Sequence, residues 1–280
     1  MRSTGFHEGE LAVQDRAGVR ALAARLGAGM LATPDLSGGM AKFLGDREFA
    51  VLTARGTDGR LWTSPVFAAP GFLRAGEREL RILASPRAGD PLAEIGVGAR
   101  VGMIAIEFAT RRRVRVNGTV TRADADGLVL SVDQAYGNCP QYIHRRHLER
   151  TPPGPDEVRH RVDSLQPHHV SLITRADTFF LGTAHPDRGA DASHRGGEPG
   201  FVRVEGDDLW WPDYPGNNMF NSLGNIAVDP SAALLFIDFD SGATLQLSGA
   251  AAIEWDGTGR GVRFHVESGC DGQLGLRARG

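Results

Sequence analysis

The feature that most constrains this chain is a repeat of its own sequence. Phe49-Ala-Val-Leu-Thr-Ala54 returns as Phe179-Phe-Leu-Gly-Thr-Ala184, 130 residues later. Ser64 then falls on Ser193, and Pro70-Gly-Phe-Leu-Arg74 on Pro199-Gly-Phe-Val-Arg203, both at 129. Ile106-Glu-Phe108 falls on Ile237-Asp-Phe239, and Asn117-Gly118 on Ser248-Gly249, at 131. One segment could match by chance. Four in the same order, with an offset drifting by one residue each way, point to a duplication with small insertions in turns.

The two copies are divided near Arg150-Thr-Pro-Pro-Gly-Pro-Asp156, where closely spaced prolines forbid a helix and favour an extended connector. This predicts an N-terminal extension over residues 1–36, a first domain over 37–150 and a second over 160–280. Within each copy the apolar runs are short and bounded by Gly, Asp and Pro. Strands are expected at Phe49–Ala54, Leu80–Ala84, Val101–Phe108, Arg113–Val120, Phe179–Ala184, Phe201–Glu205, Ala233–Phe239, Thr244–Ala252 and Val262–Glu267. Leu11–Leu26 has apolar spacing for one amphipathic helix, with Leu11, Val19, Leu22 and Leu26 as the docking stripe. Short helices are expected before Phe49, before Phe179 and after Tyr142. Many short strands with few covering helices predict a mainly β (α+β) chain of two tandem barrels related by a pseudo-two-fold axis.

Bulk properties exclude several functions. A net charge of -3 argues against a nucleic-acid partner. No apolar run approaches a membrane span, and the start lacks an apolar signal core, so the expectation is a cytoplasmic protein. Cys139 and Cys270 have no metal-ligand spacing and are expected to be reduced thiols. Adjacent His168 and His169 cannot share a helix face, so no metal site is expected there. No nucleotide-fold glycine fingerprint, P-loop or nucleophile-elbow motif occurs.

Three segments of the second copy carry a resemblance. They are Ser193-His-Arg-Gly-Gly-Glu-Pro-Gly-Phe-Val-Arg203, Trp211-Pro-Asp-Tyr-Pro-Gly-Asn-Asn-Met-Phe-Asn-Ser-Leu-Gly-Asn225 and Asp229-Pro-Ser-Ala-Ala-Leu-Leu-Phe-Ile-Asp238. Their succession resembles the pyridoxamine 5′-phosphate oxidase-like, FMN-binding split-barrel family. Phe6-His-Glu-Gly-Glu-Leu11, Ala109-Thr-Arg-Arg-Arg-Val-Arg-Val-Asn-Gly118 and Tyr136-Gly-Asn-Cys-Pro-Gln-Tyr-Ile143 are similar to its two-domain predicted flavin-nucleotide-binding subgroup. The resemblance implies a six-stranded split barrel in each half, FMN at the barrel–barrel interface, and a flavoprotein oxidoreductase acting on a small molecule. Without a nucleotide-fold fingerprint, NAD(P)H is expected to bind transiently over the flavin or not at all, with another electron donor as the alternative, and a homodimer is compatible with the resemblance. The alternatives are deazaflavin F420 or haem on the same fold, or a non-catalytic flavin carrier or sensor.

FMN asks for cations, hydroxyls and backbone N–H groups around its phosphate, ideally at a helix start. Asn218, Asn221 and Ser222 stand where a short helix should begin, in the loop where the family places its phosphate ligands. Amides replace the family's basic residues there, so the charge is expected from Arg195 and Arg203, with Ser193, His194 and Trp211 nearby. An alternative reading makes the Asn and Ser residues plain caps and turns. Adding 131 sets Asp90 on Asn221 and Pro91 on Ser222, a poor cradle, so one flavin per chain is expected. Tyr136, Asn138 and Tyr142 either cover the ring from the first domain or pack as an ordinary loop. Arg111-Arg-Arg113 is read as a solvated strand edge, and His7, Glu8 and Glu10 as a lid or a mobile terminus. No catalytic acid or base is assigned.

Overall fold

A computed structural model describes residues 5–30, 34–137, 139–151, 160–257 and 259–279. Two antiparallel sheets hold most of the chain. The first consists of β1 (Phe49–Arg55), β2 (Leu61–Phe67), β3 (Leu73–Ala75), β4 (Glu79–Ile82), β5 (Arg100–Glu107), β6 (Arg112–Asp124) and β7 (Gly127–Gly137). Its spatial order is β2-β1-β5-β6-β7-β4-β3. After β8 (Leu148–Arg150) and β9 (His160–Val162) come β10 (Thr178–His185), β11 (Gly189–Gly196), β12 (Arg203–Glu205), β13 (Asp208–Pro212), β14 (Ser231–Ile237), β15 (Ala243–Asp256) and β16 (Gly259–Gln273). These run β11-β10-β14-β15-β16-β13-β12, with β9 added beside β16. The second sheet therefore repeats the strand order of the first. β17 (Leu276–Ala278) pairs with β8.

The mainly β class holds. The end strands of each path do not pair with one another among the described residues, so both sheets are open rather than closed barrels. Part of the proline-rich connector, residues 152–156, lies outside the described residues.

Strand alternation explains how the sheets are placed. Ala50, Leu52 and Ala54 of β1 enter the first core with Phe72, Leu80, Met103 and Val116. Phe49 and Val51, one residue out of phase, face the other way into a layer shared with Phe180 and Leu235 of the second sheet. Phe179 and Leu181 enter the second core with Trp211, Phe236 and Phe264. Matching faces therefore requires Leu52 to correspond to Leu181. Both lie opposite equivalent serines, Leu52 beside Ser64 and Leu181 beside Ser193. The offset in this strand is 129, not the 130 read from the Phe and Thr-Ala identities. A slip of one residue exchanges the two faces, which the identities alone could not reveal.

The other matches keep their phase. Gly71 and Gly200 both take left-handed φ, 91° and 88°, ahead of the buried Phe72 and Phe201. Both long hairpins change register at the same place, Asn117/Gly118 and Ser248/Gly249. Phe108 and Phe239 meet edge to face across the shared layer, 5.2 Å between ring centres.

α3 (Gly38–Gly45) and α4 (Pro167–Arg175) precede β1 and β10 as expected. No helix follows Tyr142; residues 143–147 run irregularly into β8. The single helix expected over Leu11–Leu26 is instead α1 (Glu8–Arg16) and α2 (Arg20–Met30), broken at Gly18 with φ 69°. Of the expected stripe, Leu11 and Val19 are half-buried, Leu22 is 48% exposed, and the side chain of Leu26 lies outside the described residues. α1 docks through Gly9, Glu10, Val13 and Gln14, packing on α5 (Asn221–Val228). Close approach at Gly9 decides this contact, and an apolar-periodicity reading does not see it.

Candidate functional site

α5 begins abruptly. Asn218 and Phe220 both take left-handed backbone, φ 58° and 59°, which costs a non-glycine residue on the order of 1 kcal/mol and persists only where neighbours enforce it. This bend turns residues 217–223 along one wall of a cleft. The opposite wall brings Arg113 and Arg115 from β6 of the first sheet beside His194 and Arg195 from β11 of the second. The inner cleft encloses about 110 Å³. Past the stacked rings of Tyr142 and Tyr214, 5.1 Å apart, it meets an outer space of about 550 Å³ lined also by Arg111, Ile143, His144 and Gly197.

Charge defines the inner cleft. Arg195 and Arg260 share the buried Asp213 at 2.8 and 2.7 Å, and Arg115 pairs with the buried Asp191 at 3.0 Å. Arg113 donates to His194 Nδ1 at 2.8 Å and to the Cys139 carbonyl at 2.9 Å, with no carboxylate bonded to it among the described residues. Burial, with Arg115 and Arg195 close by, pulls Arg113 down to about 9. Four arginines paired with two carboxylates leave the cleft with an excess of positive charge. Burial, with Arg113, Arg146, Arg195 and Arg115 close by, holds His194 far below its ordinary value, so it is neutral. A guanidinium can only donate, so Nδ1 is the acceptor and Nε2 carries the hydrogen. The His194 ring is set against Phe108 and Phe180.

The residues expected from the sequence divide. His194, Arg195, Asn218, Asn221 and Ser222 line the cleft. Ser193 lies just behind it, accepting from Ser222 Oγ at 3.1 Å and donating to the Leu181 carbonyl. Tyr136 is buried behind Arg115, its hydroxyl 3.5 Å from Asp191 Oδ1, with its ionisation opposed first by burial. Arg203 does not converge on the cleft: it is exposed on β12 and stacks over Trp210 at 4.8 Å. Trp211 is fully buried in the second core, 5.1 Å from Phe179, and is a core residue rather than a ligand contact. Alternation in short strands put each one residue or one sheet edge away from the site. Asn138 lies outside the described residues.

Sequence reasoning missed Arg113, Arg260, Asp213 and Tyr214. Arg113 was read as a solvated edge, yet Arg113 and Arg115 are two apart on one strand and so share a face. That spacing was the available signal.

The corresponding place in the first sheet is built differently. Asp90 accepts from Ser64 at 2.5 Å, where Ser222 meets Ser193, so Asp90 corresponds in space to Ser222 rather than Asn221. Arg87 lies over the Phe67 ring at 4.8 Å and against Gly275.

The N-terminal segment is folded in. His7 caps α1, accepting from Gly9 N at 3.2 Å, while Glu10 takes the His7 N–H at 2.9 Å. His7, Glu8 and His185 lie close enough to hold a metal ion. However, Nδ1 of His7 and of His185 already accepts from backbone N–H groups. Metal on Nε2 would require a hydrogen on Nδ1, facing those donors. The geometry disfavours a metal there.

Residues 165–260 match the sequence model of the pyridoxamine 5′-phosphate oxidase family. No curated protein matches the chain. Among solved structures, HupZ of Group A Streptococcus is 13% identical over 37% of this chain and 90% of its own, with a TM-score of 0.30. A FAD-binding protein from Mesorhizobium loti is 10% identical over 42% and 98%, with a TM-score of 0.30. HutZ, a haem storage protein from Vibrio cholerae, is 11% identical over 41% and 95%, with a TM-score of 0.29.

Proposed function

Starting from the match of residues 165–260 to the pyridoxamine 5′-phosphate oxidase model, we propose that this chain is an FMN-dependent oxidoreductase acting on a small molecule. We read its two sheets as a tandem duplication of split barrels, divided near residue 150. The observation that carries the proposal is the excess of positive charge in the inner cleft, which suits a phosphate dianion. Arg113 and Arg195 would hold that phosphate, with Asn218, Asn221 and the first N–H groups of α5. About 110 Å³ is too small for a whole ligand of ordinary size but suits an end group, and the outer space of about 550 Å³ can take the remainder. Tyr142 and Tyr214 offer aromatic faces at the junction.

FMN, when bound, supplies two-electron redox chemistry at its ring. The chain's own residues bind, orient and partly dry it. His194 stays neutral and fixes the fork of Arg113, while Asp213 fixes Arg195. His194 offers no free imidazole nitrogen toward the cleft as a haem ligand, since Nδ1 is taken by Arg113. NAD(P)H is the proposed electron donor. No described helix is long and apolar enough to cross a membrane, and a cytoplasmic location belongs to the same proposal.

The test is binding of FMN to the purified protein, with mass spectrometry of the released cofactor and its stoichiometry. One flavin per chain is expected. Arg113→Ala and Arg195→Ala should each weaken FMN at least about tenfold, while Arg203→Ala leaves it unchanged. Riboflavin, lacking the phosphate, should be insensitive to all three. Release of F420 or haem, or equal losses from all three arginines, refutes the assignment.

A further inference from the structure

We propose that α1 is the rear support of this cleft and that Glu10 is a positioning residue for its anion, acting through Asn221. The inference rests on the cleft being an anion site and goes beyond the flavin reading. It gives a role to Phe6-His-Glu-Gly-Glu-Leu11, a segment that the cleft itself does not use.

Four contacts tie α1 to the strained bend. Gln14 Nε2 donates to the Met219 carbonyl at 3.1 Å, between the two left-handed residues Asn218 and Phe220. Glu10 Oε1 accepts from Asn221 Nδ2 at 2.6 Å, and Glu10 Oε2 takes the His7 N–H. Gly9 meets Gly224 backbone to backbone, and a Cβ on Gly224 would lie 2.6 Å from Glu10 Cγ. Arg16 stacks over Trp255 at 4.5 Å, and Trp255 is also beside Arg260, which lies over Phe220 at 4.6 Å.

These contacts do more than fill space. A left-handed phenylalanine persists only if its neighbours over-determine it. α1 holds the residues immediately before and after Phe220. One Asn221 N–H is spent on Glu10, which fixes the amide plane and leaves the second N–H for an acceptor in the cleft. Linkage then requires the converse: an anion held by the bend must stabilise α1, although it does not touch that helix.

The experiment measures binding of inorganic phosphate and of FMN to the full chain, together with amide exchange along α1. Glu10→Ala should lose about tenfold in affinity for both. Glu10→Gln keeps an oxygen for Asn221 and should stay within about threefold of wild type. Glu8→Ala, on the same helix but bonded to His185, should bind as wild type. Saturating phosphate should slow exchange at Leu11, Val13 and Gln14 in wild type, and Glu10→Ala should abolish that slowing. If Glu10→Ala does not fold, Gln14→Ala carries the same expectation. Normal affinity in these variants, or α1 exchange indifferent to phosphate, overturns the proposal and leaves the flavin reading intact. Phosphate binding with this pattern but no FMN binding overturns the flavin reading and leaves α1 in its role. Binding of neither ligand overturns both.

Discussion

Arg113→Met should leave the ligand-free protein about as stable as wild type and make it a much poorer ligand binder. Arg113 is charged although burial and its neighbours lower it to about 9. At ~1.4 kcal/mol per decade the displacement from an ordinary arginine corresponds to roughly 5 kcal/mol, and the open side of the cleft screens it to about 3 kcal/mol. The cost is fully present at neutral pH, and fades only as pH rises above about 9. Methionine removes that cost and fills similar volume, but forfeits the bonds to His194 Nδ1 and the Cys139 carbonyl. Two such bonds from a charged donor contribute at least about 3 kcal/mol. The two effects nearly cancel, so the melting temperature should stay within roughly 2–4 °C of wild type for a chain of this size. FMN affinity should fall at least about tenfold. Thermal and denaturant unfolding without ligand, paired with FMN titration, give the two readouts. A variant less stable by more than about 1 kcal/mol would make Arg113 a structural residue. A variant of wild-type stability with unchanged FMN affinity would remove it from the phosphate site.

Further outcomes follow from the same geometry. Burial raises Glu10 to about 7, so its contribution to stability declines as pH rises from 4.5 toward 7. Burial and His185 lower His7 to about 4, so its contribution grows as pH rises from 4 to 6.5. The slopes oppose, and wild-type stability measured by denaturant should be nearly flat between pH 4.5 and 6.5, rising in Glu10→Gln and falling in His7→Gln; parallel profiles for the three proteins would contradict this. Phe108→Ala, which removes a ring packed against Phe49 and Phe239, should cost about 3–5 kcal/mol in the same assay. Gly182→Ala should cost about 1–3 kcal/mol, since its Cβ would lie 2.5 Å from Thr53 Cγ2.

Apolar strands such as β5 and β14 were legible because their alternation stands out. β2 and β11 were not. β2 carries Pro65, tolerated because the strand lies at the sheet edge. β11 reads Gly-Ala-Asp-Ala-Ser-His-Arg-Gly, too polar to announce a strand, because its Asp191 and His194 are buried in polar contacts with the first sheet and its Ser193 against Ser222 of α5. The cleft was half legible for the same reason. Asn218, Asn221 and Ser222 signal a helix start from local sequence, and Arg195 stands close by. Arg113 comes from the other sheet, 82 residues earlier than Arg195, and only tertiary packing brings it in. Arg203 and Trp211 had the right residue types and the wrong face.

Phe108 and Phe239 touch across a layer whose two sides belong to one chain. If such sheets were carried by separate chains, dilution would pull them apart, and every change to the contact would be written on both sides at once. Here the partner's effective concentration is set by the covalent tether and does not fall with dilution. The contact should thus not weaken as the protein is diluted, and each ring can be replaced alone. The same freedom applies to the two serines, one facing Asp90 and the other Ser222: one side of the molecule could acquire a carboxylate without imposing it on the other.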